Sequence, residues 1–138
     1  MGSYISDGYT RTGYIAAAVP EESGERLYDE LEFTYRPATR MDVTRLDAEI
    51  VVAVRNKEFD PKCAERAEQI ACKFVASRID SWTLKDVGIH DVPVTAAACE
   101  RIHPYLFTRL YGILRGTLAS DVKPNEVALP TDAEQVKN

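Results

Sequence analysis

With 138 residues, 45% of them hydrophobic, the chain has room for one core of its own and is too short for two ordinary domains. Its formal net charge is −5, from 17 Lys and Arg against 22 Asp and Glu, and no basic cluster stands out, so a nucleic-acid partner is not expected. There is no apolar run of about 18 residues, the length a membrane helix needs. The start MGSYISDGY has neither the basic segment nor the apolar stretch of a signal peptide, so the expectation is an intracellular chain.

Taken in order, the first third reads as strands. Leu31-Glu32-Phe33-Thr34-Tyr35-Arg36 alternates apolar and polar residues of high β propensity, which predicts one buried and one wet face, and Pro37 stops it. Tyr9 to Val19 is a weaker strand, interrupted by Gly13. The polar, punctuated stretch Pro20 to Glu25 between them predicts a hairpin. A two-stranded pair is marginal in water, so it must lie on helices or gain a further strand, with a second copy of the chain as one donor. The acids Glu21, Glu22, Glu25, Asp29, Glu30 and Glu32 are expected to be solvated, with a docking edge for a basic partner as the alternative. Arg36, Arg40 and Arg45 are placed to neutralise them.

Thr39, with Asp42 three residues on, predicts a helix start, and Met41, Leu46, Ile50, Val51 and Val54 form a stripe expected to meet the sheet. Asp60-Pro61 opens a second helix over 61–81, with Ala64, Ala67, Ile70, Ala71, Phe74, Val75 and Ile79 on its apolar face. Trp82 closes it and is expected to fill the gap between helix and sheet. Residues 83–94, with Gly88 and Pro93, read as a crossover loop. Thr95 caps a short helix, and His103-Pro104 starts a last one, carried by Leu106, Phe107, Leu110, Tyr111 and Leu114 and stopped by Gly116. The expectation is one α+β domain over 1–116, an N-terminal antiparallel β-hairpin packed on three to four helices. A flexible tail over 117–138 completes it.

Chemistry-bearing patterns are thin. His90 and His103, with Asp86, Asp91 and Glu100 near them in sequence, lack the facing pair of an HxxxH or HExxH motif. His103 reads as a helix cap and His90 as a solvated loop residue. Cys63, Cys72 and Cys99 match no zinc spacing and read as reduced, partly buried thiols. No serine-nucleophile motif and no phosphate-binding glycine loop is present. No catalytic, cofactor-binding or metal-binding residue is assigned, and no cofactor is expected.

The order of features carries a resemblance. A strand ending Tyr35-Arg36-Pro37, two helices, Ile79 and Trp82, a loop with Pro93 and Thr95, and a final helix with Ile102, Pro104, Leu106, Leu110, Ile113 and Gly116 together resemble the tail assembly chaperones of long-tailed phages and prophages, over roughly 27–116. The resemblance implies a non-enzymatic protein of the host bacterial cytoplasm. It would bind the long helical tape measure protein, keep it soluble and help the tail-tube protein polymerise around it, with homo-oligomers among the assemblies to expect. The contact residues proposed on this basis are Trp82, Tyr105, Phe107 and Tyr111, aromatics of the last helix and its approach. Two rival readings are a head-tail joining or tail-completion structural protein, and a small enzyme or ligand-binding domain using His90 and His103.

Overall fold

A computed structural model of the chain describes residues 9–18, 27–55 and 61–123. The expected hairpin loop with its acids at 21, 22 and 25, the bend at 58–59 with Asp60, and residues 124–138 of the expected tail lie outside them.

The first strand, β1 (Arg11–Ile15), pairs antiparallel with β2 (Leu31–Tyr35), Gly13 facing Phe33 and Ile15 facing Leu31. The Ala18–Tyr28 bridge continues the hairpin beyond the strands. Helix α1 (Arg40–Ala53) follows, then helix α2 (Pro61–Arg78). At Arg78 the chain changes directly into strand β3 (Ile79–Trp82), which pairs antiparallel with β2 on the side away from β1. The extra strand the hairpin needs thus comes from the chain itself. The stretch expected as the last turn of the second helix is strand instead. Two further helices, α3 (Ala96–Cys99) and α4 (Pro104–Arg115), complete an α+β fold.

A single junction explains the switch at Arg78. Its carbonyl accepts the Arg36 N–H at 2.8 Å, so the chain is drawn into the sheet one residue later. Its guanidinium reaches the carbonyls of Arg36 and Pro37, both at 3.2 Å, and the Asp42 carboxylate at 3.1 Å. Asp42 closes the capping box of α1 by accepting from Thr39 N–H, while Thr39 Oγ1 accepts from Asp42 N–H. These contacts hold the Asp42 carboxyl below its usual range, the Thr39 N–H being the chief cause. Arg36 pairs with Asp80 and donates to the Ser77 carbonyl, rather than neutralising the hairpin acids. Among those acids, Glu30 accepts from the Tyr14 hydroxyl and Glu32 pairs with Lys123, so neither is simply solvated.

The core lies between the sheet and the helices α2, α3 and α4: Ile15, Leu31, Phe33 and Ile79 meet Val75, Cys99, Leu106, Leu110 and Leu114. Helix α1 contributes nothing to this cluster and packs on α2. That corrects the expectation that its stripe meets the sheet. Gly116, at φ +88°, ends α4 in a Schellman motif: Thr117 N–H reaches the Gly112 carbonyl and Gly116 N–H that of Ile113. Beyond this turn, residues 117–123 run back across the domain and are hydrogen-bonded to β1, so the ordered structure extends past the expected boundary at 116.

Candidate interaction surfaces

Of the four aromatics expected to make contact, Phe107 and Tyr111 lie against each other. Tyr105, 65% exposed at the start of α4, stands outside. Phe107 and Tyr111 are half-buried and packed against the core; their rings stack at 5.9 Å between centroids, and Phe74 meets Tyr111 edge-on at 6.1 Å. Arg115 lies over the Tyr111 ring and pairs with Asp47 at 2.7 Å, fastening α4 to α1. Burial pushes the Tyr111 hydroxyl pKa up. Trp82 is half-buried against the core, and its indole N–H donates to the Val92 carbonyl at 2.6 Å, pinning the crossover loop. It lies in β3 rather than at a helix end, and this packing and hydrogen bond give it a structural role.

The two histidines stand in different local settings, one capping a helix and the other facing a carboxylate. His103 Nδ1 accepts from Tyr105 N–H at 3.2 Å, so this side chain is the cap of α4. His90 sits in an exposed turn, with its Nδ1 3.3 Å from an Asp86 oxygen. That same oxygen accepts from Gly88 and His90 N–H, and these backbone bonds lower the Asp86 pKa, His90 first. Among the described residues no group of three or more His, Cys, Asp and Glu side chains is gathered to hold a metal. Cys63, Cys72 and Cys99 are buried free thiols, and desolvation raises Cys72 to about 11 and Cys99 to about 12.

A cleft of about 880 Å³ opens between residues 27–32, the 83–92 loop and the α3–α4 turn. Several of its polar walls are engaged in the fold: Glu30 with Tyr14, Glu32 with Lys123 and His103 as a cap. Its lip carries the tip of the 86–90 turn, where Val87 and Ile89 are bare to solvent. Ile89 has φ +63°, a left-handed conformation that costs a β-branched residue energy.

The surface the sequence reading missed is the outer side of α1. Leu46 and Ala53 are its buried residues, and Ile50 is half-buried beside them. At 100° per residue, Met41, Ala48 and Val52 form a row on the opposite side, with Val51 adjoining it. Met41 is 56%, Val51 61% and Val52 63% exposed. Exposed charges of both signs flank the row, Arg40 with Asp47 on one margin and Arg45 with Glu49 on the other. The signal was present in Ile50-Val51-Val52-Ala53-Val54, five consecutive apolar residues, more than one face of a helix can bury. Compared with protein-family models, curated proteins and solved structures, the chain matches none of them.

Proposed function

We propose that this chain is a non-enzymatic tail assembly chaperone of a long-tailed phage or prophage, working in the host cytoplasm. In this reading it shields a helical stretch of the tape measure protein until tail-tube subunits enclose it. The observation that carries the reading is the outer face of α1, where Met41, Ala48, Val51 and Val52 recur at spacings of seven, three and one, the stripe that a partner helix reads. A helix apolar on two opposite sides, with only one of them covered by its own fold, is suited to taking a second helix. The flanking pairs Arg40 with Asp47 and Arg45 with Glu49 favour a partner helix whose margins carry charges of both signs.

The test is co-purification with a long helical tape measure protein co-expressed with this chain. Met41→Glu with Val52→Glu is expected to reduce capture at least tenfold while leaving the circular dichroism melt within a few degrees, since both side chains face solvent. Capture should also weaken between low and high salt, because exposed charges screen readily. Full capture by the doubly substituted protein would refute the assignment of this face.

A further inference from the structure

The two outer edges of the three-stranded sheet are managed differently. Edge β3 is short, carries Asp80 and has a register shift opposite Thr34 and Tyr35, all features that discourage another strand. Edge β1 has five residues without such a break. Because residues facing each other across an antiparallel pair alternate in their hydrogen bonding, Tyr14 and Ala16 point their backbone groups away from β2.

Those groups are covered by residues 120 and 121. Tyr14 N–H donates to Ser120 Oγ at 2.8 Å, and the Tyr14 carbonyl accepts from Asp121 N–H at 2.8 Å and from Ser120 Oγ at 3.2 Å. Ala16 N–H donates to the Asp121 carboxylate at 2.9 Å. Side-chain oxygens therefore stand where a neighbouring strand would place carbonyls. Two ion pairs hold the segment toward its far end: Asp121 pairs with Arg109 at 2.7 Å and Lys123 with Glu32 at 2.9 Å. Upstream, Leu118 rests on Gly112, where any Cβ would meet the Leu118 Cγ at 2.7 Å. Leu118 and Val122 nevertheless stay 45% and 65% exposed, so little apolar burial retains the segment.

We propose that residues 117–123 are a displaceable strap over a strand-accepting edge, and that the edge, once uncovered, takes β1 of a second copy of this chain. The geometry is self-complementary. A two-fold axis through Tyr14 lets the two Tyr14 residues exchange N–H and carbonyl, and sets Thr12 opposite Ala16 on either side. Two three-stranded sheets then become one continuous sheet, with the strap the contact that decides between monomer and dimer.

The experiment uses the full chain carrying Ser120→Ala and Asp121→Pro, which removes all four bonds to Tyr14 and Ala16 and the ion pair to Arg109. Sedimentation is expected to show self-association strengthened at least tenfold over the parent chain. Amide exchange at Tyr14 and Ala16 should be fast in dilute protein and slow again as concentration rises. Adding Thr12→Pro, which blocks the outer edge without touching the bonds to β2, should return the protein to monomer. A variant that stays monomeric at every concentration, or a dimer indifferent to Thr12→Pro, would overturn the proposal. Should the double variant lose its fold, Leu118→Gly in the full chain tests the strap by itself: exchange at Tyr14 and Ala16 must accelerate without change in the global melt, and unchanged exchange would equally overturn it.

Discussion

Replacing Gly13 by alanine is expected to destabilise the protein, although alanine is ordinarily the better strand residue. Removing backbone freedom from a glycine in a strand is worth about 0.5–1 kcal/mol in favour of alanine. Here the Phe33 ring, on the facing position of β2, lies over the glycine. A Cβ at Gly13 would sit 2.6 Å from Phe33 Cε2 and 3.0 Å from Cε1. Phe33 is 1% exposed and part of the central cluster, so the ring has no solvent to swing into. Forcing a methyl into a packed core costs about 1–3 kcal/mol, which outweighs the backbone gain and leaves a net loss of roughly 1–2 kcal/mol. In a domain of this size that lowers the melting temperature by about 3–8 °C. Urea unfolding followed by circular dichroism measures it. The double variant Gly13→Ala with Phe33→Leu separates the contact from propensity, since the smaller side chain makes room. In that background Gly13→Ala should be neutral or stabilising, a coupling of about 1 kcal/mol or more. A single variant as stable as the parent, or a strictly additive cycle, would show that the ring does not occupy this space.

Three further outcomes follow from local chemistry. Ile89→Gly should raise stability by about 1 kcal/mol in thermal melts by relieving the left-handed β-branched residue, a gain that would vanish if the turn did not hold φ +63°. Asp42 has a pKa below its ordinary value of 3.8, so its contribution is present above that pH and is lost as pH falls through the lower folded value. Asp42→Asn should therefore flatten the acid limb of stability against pH and cost about 1 kcal/mol near neutrality, as loss of a helix cap does. With Cys72 raised to about 11 and Cys99 to about 12, a disulfide reagent at pH 8 should modify neither in the native state on a timescale of minutes and both at once in denaturant. Rapid native labelling at Cys99 would contradict its burial.

Much of the architecture was already written in local residue chemistry. The alternation in Leu31 to Tyr35, the capping pair Thr39 and Asp42, the cap His103 before Pro104, and the stop at Gly116 each depend on neighbours within a few positions, and each element begins or ends where those residues put it. The boundary at Arg78 was different. Ile79 and Trp82 extend a helical stripe as readily as they fit a strand, and only the Arg36 N–H, brought alongside by the fold, assigns the Arg78 carbonyl to the sheet. The same holds for surfaces. A hydrophobic stripe states that a face should be covered, but which of two faces of α1 finds α2 and which meets solvent is set by packing between helices. Phe107 and Tyr111 face the same ambiguity, since an aromatic ring has the same pattern in a core as at an interface. The return of Ser120 and Asp121 to Tyr14 joins positions more than a hundred residues apart. Hydrogen bonds over that separation exist only once the sheet and α4 have placed both ends, and no spacing within the chain encodes them.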